Sequence, residues 1–405
     1  MRSNSKKLTA ALRILTTACL LAGSTLAPAW AQVTIGDAEL LSSDGVFPSI
    51  DADGRNGFVA VWTEPEGSDG EIFGSLLPPG GSPQPPFQVN TREAGSQSGP
   101  SVAAGPSGGF MVVWQGLDAD GSGVFGQVFS PAGVRNGPER RLSQGSAGPQ
   151  SLPRVAAGED GTFVAVWADR STRRFEVVAR RFAANGAPVG PEIPMQVGGE
   201  FNNPAGIAAY PGGFAVAWNE GFECSGGRLS ASIAAIARFD SSGRRVGRVY
   251  RAGIRGCDDP GFAVAALVGS RAGAMAVLRS SSGHSVQRFT PSGEPAGGRF
   301  ALSSRPLCSG DRCDFIDAAA MDDRGRLAVI WNVSTGGLHN LLLQVFTPRG
   351  RALTDRLVVP LFPSRSFEGV AVALANDGTA AAVWRQGPAG FLDEGGLYLR
   401  RFELP

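Results

Sequence analysis

The sequence predicts an all-β fold, a seven-bladed β-propeller of four-stranded antiparallel blades. Three observations predict it. A short apolar run recurs seven times, closed by Trp62, Trp114, Trp167, Trp218, Leu278, Trp331 and Trp384. The steps between these closers are 52, 53, 51, 60, 53 and 53 residues, a fixed period that marks stacked repeat units. The third observation is a matched deficit at the two ends of the chain: the last copy lacks a fourth strand, and the N-terminal region offers one with nothing before it.

The elements of a copy follow in a constant order. A small-residue strand comes first, as in Pro48-Ser49-Ile50-Asp51-Ala52, Pro100-Ser101-Val102-Ala103-Ala104 and Pro153-Arg154-Val155-Ala156-Ala157. A Gly-rich turn such as Asp53-Gly54-Arg55-Asn56-Gly57 follows, supplying the positive φ angles of a tight hairpin. The second strand, Phe58-Val59-Ala60-Val61-Trp62 or Phe110-Met111-Val112-Val113-Trp114, is apolar on both faces, as a strand covered from two sides must be. A third strand ends at Leu77, Phe129, Phe182, Phe239, Phe289, Phe346 or Phe402. Four residues later stands a turn glycine, at 81, 133, 186, 243, 293 and 350. A fourth strand such as Phe87-Gln88-Val89-Asn90 completes the unit. One four-stranded meander cannot bury both its faces, so neighbours stack radially. Asp37–Ser42 resembles the fourth strands and is expected to complete the seventh blade, removing the sheet edges that invite aggregation.

Residues 1–31 read as a secretory signal peptide: Arg2, Lys6 and Lys7, an apolar stretch, then Ala29-Trp30-Ala31 before Gln32. Residues 32–405 then form a single propeller domain. No other stretch is long and apolar enough to span a membrane. The mature chain carries 33 cations against 36 acids, a balance of −3, which argues against a nucleic-acid backbone as partner. The expected location is therefore periplasmic or extracellular, and the expected state a monomer.

Cys224, Cys257, Cys308 and Cys313 remain after cleavage, an even number that implies disulfides in an exported chain. Loops from second to third strands and loops between blades leave a propeller on one face, here termed the top. Cys224 lies in the first kind of loop and the other three in the second. The expected pairs are Cys224–Cys257 and Cys308–Cys313.

Catalytic and metal signatures are sparse, so no catalytic residue, metal or cofactor is expected. His284 and His339 are the only imidazoles and lack the spacing of a zinc site; both are read as exposed strand ends. No nucleophile elbow stands between strand and helix. Asp118-Ala119-Asp120-Gly121 resembles the start of a Ca²⁺ loop without its terminal Glu and is read as a polar turn. The most suggestive positions follow the closers: Thr63, Gln115, Asp169 (one residue later), Asn219, Arg279, Asn332 and Arg385. They form a polar ring at the top, able to bind a small ligand or peptide.

The pattern Gly-x-Phe-x-Val-x-Trp, then Val-Phe-Gly-Gln-Val-Phe and a turn glycine, is clearest from Phe110 to Gly133. It resembles repeats of secreted bacterial β-propeller proteins of unassigned function. The resemblance covers essentially the whole mature chain and implies architecture alone, since one fold hosts many functions. The fifth copy departs most, with Ala274 and Leu278 in place of Phe and Trp. The function expected is a non-enzymatic scaffold that binds a protein or glycan partner through its top-face loops. The alternative is a sialidase-like or other glycan-active hydrolase. Sialidase-like propellers use a Tyr–acid pair; Tyr210, Tyr250 and Tyr398 are the tyrosines present, none is placed beside the axis at the top, and the Asp-box repeats of that family are missing.

Overall fold

The structure is a computed structural model. It describes residues 33–404 apart from 67–68, 93–94, 119–120, 145–147, 171–175, 196–200, 225–227, 254–261, 291–293, 304–305, 361–366 and 388–394. The segment read as a signal peptide lies outside the described residues.

Seven antiparallel sheets are arranged in a ring. Blade 1 comprises Val46–Ala52, Phe58–Glu66, Asp69–Leu77 and Phe87–Gln88. Blade 2 comprises Gln97–Ala104, Phe110–Asp118, Gly121–Phe129 and Arg140–Arg141. Blades 3 and 4 begin with Gln150–Ala157 and Phe201–Tyr210, and have longer outer strands, Pro188–Pro194 and Arg245–Ala252. Blades 5 to 7 begin with Ala263–Ser270, Arg312–Met321 and Phe367–Leu374. The innermost strands contact one another around the axis.

Seven buried clusters fill the seven interfaces between neighbouring blades. The closers anchor them. The six tryptophan closers are at most 1% exposed, and each contributes roughly 5 kcal/mol of gross hydrophobic stabilisation. Burying an indole also buries its N–H, which needs an acceptor. Trp62, Trp218 and Trp384 donate to the side chain two residues on: Glu64 at 2.8 Å, Glu220 at 3.1 Å and Gln386 at 3.3 Å. Trp114 donates to Gln97 and Trp331 to Gln344. The Trp167 N–H has no acceptor among the described residues. In blade 5 the buried Leu278 fills the position with no polar atom to satisfy.

The ring closes through its N-terminal segment. Glu39–Ser42 pairs with the last strand, Gly396–Glu403, as the seventh blade's outer strand. The closure is more extensive than the single strand expected: Thr34–Ile35 pairs further along the same edge, with Ile35 opposite Phe402. Arg401 bridges to Glu39 at 3.2 Å. The Ser42 hydroxyl donates to Glu64 at 2.5 Å, the carboxylate that also receives the Trp62 N–H, so the closing strand is tied into blade 1.

The turn after the third strand is built as expected in blades 2, 3, 4 and 6, with Gly133, Gly186, Gly243 and Gly350 at φ of 74°, 76°, 85° and 84°. In blade 1 the left-handed residue is Gly80 (φ 63°) instead of Gly81. Pro79 fixes the preceding φ, so Pro79-Gly80 forms the centre of a turn closed by Gly81 N–H donating to Pro78.

Cys308 and Cys313 form a disulfide across the short hairpin that leads into blade 6, with an S–S distance of 2.05 Å. The expected Cys224–Cys257 pair falls outside the described residues, as does the centre of the acidic turn at Asp118.

Candidate functional site

Each innermost strand runs from the top face to the hairpins on the opposite, lower face. Every one of the seven breaks register near its upper end: at Val46/Ser49, Ser98/Ser101, Ser151/Arg154, Pro204/Gly206, Val264/Ala266, Ile316/Ala318 and Phe367/Val370. A bulge re-aims side chains and twists the strand away from its partner. At Phe47 and Leu152 it is made by non-glycine residues at φ of 52° and 56°, a conformation that costs about 1–3 kcal/mol and gathers at functional sites. Phe47 is 56% exposed and Leu152 38%. Both apolar side chains therefore stand at the upper mouth of the axial channel, uncovered.

The polar ring predicted from the closers lies on the second strands at this level. Four of its members reach the next blade's entry instead of the axis. Thr63 accepts the N–H of Gly99 at 3.2 Å, Gln115 that of Leu152 at 3.3 Å, and Asn219 that of Val264 at 2.7 Å. Arg385 donates to the Ser43 carbonyl at 2.7 Å. The bulges free these backbone groups, and a polar side chain from the preceding blade satisfies them. Asp169 is buried within blade 3. Arg279 is exposed, and Asn332 belongs to a second constellation.

That constellation runs across the top of blade 6. Asp317 sits in the bulge of the innermost strand, Asn332 on the second strand and His339 on the third. The Asn332 amide donates to Asp317 Oδ2 at 2.7 Å, and its oxygen lies 2.9 Å from His339 Nδ1. An amide oxygen only accepts, so the imidazole donates from Nδ1. Asp317 is exposed to water yet surrounded by protein. Burial raises its pKa, against the opposing pull of Asn332, His339 and Arg279. The result is a water-accessible carboxyl with a raised pKa, linked through an amide to an imidazole.

His284 is not the exposed strand end expected. It is 2% exposed, and its Nε2 accepts the N–H of Ile316 at 3.3 Å. Burial first, then Arg279 and Arg356, lowers its pKa to about 4, with Asp314 pulling the other way. It is a neutral structural histidine. Beside it, Asp314 accepts from Arg312 at 2.9 Å and Arg356 at 2.8 Å, and Arg356 lies 4.2 Å over the Trp331 ring. Burial would raise the Asp314 pKa; the two guanidinium groups hold it below the usual value.

The lower mouth is chemically quieter. The small residues of the innermost strands leave a chamber of about 430 Å³ there. Its charged groups already answer one another. Arg271 of blade 5 bridges to Glu159 of blade 3 at 2.9 Å and to Asp323 of blade 6 at 3.8 Å. Asn376 donates to Asp323 at 2.8 Å. Asp51 accepts the N–H groups of Ala104 and Ala52, both at 2.9 Å, stitching blade 1 to blade 2. Burial raises its pKa to about 6. Among the described residues, no three His, Cys, Asp or Glu side chains converge as a metal site, and no helix is long and apolar enough to cross a membrane.

No protein family and no curated protein matches the sequence. Solved structures match the fold. A protein of unknown function from Dyadobacter fermentans is 9% identical, with a TM-score of 0.53, covering 92% of this chain and 99% of its own. An α-L-arabinanase of Penicillium chrysogenum, complexed with arabinobiose, is 12% identical at a TM-score of 0.51, covering 92% and 99%. An ulvan lyase, a polysaccharide lyase, is 9% identical at a TM-score of 0.53, covering 89% and 94%. At these identities the likeness establishes the seven-bladed propeller and nothing finer.

Proposed function

We propose that this chain is a secreted, glycan-active propeller that takes an oligosaccharide at the upper mouth of its axial channel. The observation that carries the reading is the Asp317–Asn332–His339 line at the top of blade 6, with Phe47 of blade 1 and Leu152 of blade 3 exposed at the upper ends of their own innermost strands. Apolar side chains at a polar mouth suit a sugar, which presents C–H faces as well as hydroxyls. A carboxyl with a raised pKa suits proton transfer to a glycosidic oxygen. Two of the similar folds, the arabinanase and the ulvan lyase, bear names of enzymes that act on polysaccharides. The Cys308–Cys313 disulfide fits an exported protein.

The test is a panel of polysaccharides assayed for binding and for release of reducing ends. Turnover is expected on at least one polymer, and Asp317→Asn should lower it by roughly 10²–10⁴-fold while binding persists. A panel that neither binds nor turns over would refute the proposal. A specific observation favours a second reading, the non-enzymatic scaffold: the groups that act on Asp317 among the described residues are Asn332, His339 and Arg279, none of them a carboxylate. Binding without turnover would select it, and binding only to a protein would replace the glycan.

A further inference from the structure

Register aligns the innermost strands residue by residue just below the bulges. The position opposite the residue before each closer is Ser49 in blade 1, Ser101 in blade 2, Arg154 in blade 3, Gly206 in blade 4, Ala266 in blade 5, Ala318 in blade 6 and Ala371 in blade 7. Six of the seven are small. Ser49 and Ser101 accept the N–H groups of Val102 and Val155 in the following blade, at 3.2 and 3.3 Å. Arg154 cannot accept, so it has no part in that stitching. It is the one charged side chain in a layer otherwise made of serine, alanine and glycine.

Arg154 is exposed to solvent, yet it belongs to an innermost strand between the buried Pro153 and Val155. Burial by surrounding protein, its sole cause, lowers its pKa. Both facts hold together if the water it meets is that of the axial channel. Its described contact is a 2.8 Å bond from Nη1 to the carbonyl of Pro153, which neutralises no charge. By contrast, Arg238, Arg251, Arg271, Arg312, Arg326, Arg356 and Arg401 each pair with a carboxylate. The small residues around Arg154 leave room beside it. A cation held in a confined, partly desolvated channel gains most from an anion that enters with the ligand.

We propose that Arg154 is an anion seat, and that the ligand of the upper mouth is an acidic glycan whose carboxylate or sulfate ester it grips. This rests on the glycan reading of the upper mouth and specifies its ligand class. A guanidinium matches either anion with two parallel N–H donors.

The test compares the wild-type chain with Arg154→Ser, which installs the residue found in blades 1 and 2, and with Arg154→Lys. Binding is measured to polygalacturonate and its neutral methyl ester, and to dextran sulfate and plain dextran. The wild type should prefer one charged polymer over its neutral counterpart by about tenfold or more, the scale of one charge-assisted hydrogen bond. Arg154→Ser should erase that preference and leave neutral binding unchanged, while Arg154→Lys should keep part of it. Which pair shows the preference tells carboxylate from sulfate. A preference that survives Arg154→Ser, or none in either pair, overturns the proposal. If no polymer binds, the glycan reading fails, and free glucuronate and inorganic sulfate decide the seat alone. Thermal stabilisation of the wild type that Arg154→Ser loses would uphold it; equal shifts in both would discard it.

Discussion

The His284 ring stands edge-on to the Trp331 indole, with centroids 5.6 Å apart and planes at 90°. Blade 5 thereby plugs an imidazole into the top of blade 6, where its Nε2 receives the Ile316 N–H. That hydrogen bond does not tolerate a proton on Nε2. The folded pKa of about 4 lies below the ordinary value of 6.5, so protons bind the unfolded chain more readily. Stability from this site is complete above pH 6.5 and declines as the pH falls towards about 4, by at most ~3 kcal/mol. Urea midpoints measured between pH 7 and 4 should show the decline. His284→Gln, which keeps an acceptor, should flatten it; an unchanged slope would dismiss the histidine as its source.

Asp51 carries the opposite sign. Its folded pKa of about 6 exceeds the ordinary 3.8, so here the folded state holds the proton more tightly. Its contribution is greatest below pH 3.8 and is lost as the pH rises through about 6. Asp51→Asn removes the confined charge and keeps one acceptor for the Ala104 or Ala52 N–H. Net stabilisation of about 1 kcal/mol is expected at pH 7, after allowing for one weakened hydrogen bond, and none at pH 4. Destabilisation at pH 7 would mean that the charge itself holds blades 1 and 2 together.

Trp167 and Trp218 occupy the same place in adjacent blades but differ in one bond. Trp218 donates to Glu220, a buried carboxylate that Arg251 also grips at 2.9 Å; Trp167 donates to no described residue. Replacing each by Phe removes similar volume. Trp218→Phe should cost about 1–3 kcal/mol more than Trp167→Phe in chemical denaturation, because it also strips a buried acceptor of its donor. Equal losses would show that packing alone sets the value of a closer.

The architecture could be read from the chain because its period, its turn glycines and its buried second strands all repeat, and repetition averages out local exceptions such as Leu278. The N-terminal strand was readable as a missing partner for the last. The site was harder. Thr63, Gln115 and Asn219 were found as a ring by position, but their neighbours were not: the bulges that free Gly99 N–H, Leu152 N–H and Val264 N–H leave no trace in composition. Asp317 and Arg154 were passed over, since an isolated acid or arginine in a small-residue strand carries no motif. A signal was present in alignment of the copies, where Arg154 stands against Ser49 and Ser101. His284 was misplaced because nothing local marks a polar side chain as plugged into the neighbouring blade.

Because Thr34–Ile35 and Glu39–Ser42 lie against Gly396–Glu403, the final sheet joins segments separated by nearly the whole chain. Its pairing cannot form until Gly396–Glu403 has been made, whatever the earlier sheets have already done. A polypeptide that stops short of that strand keeps a raw edge at blade 7 and an unfinished circle. Quality control would therefore meet a late checkpoint: chains that reach the last strand lock shut, and those cut short remain adhesive and open to proteases.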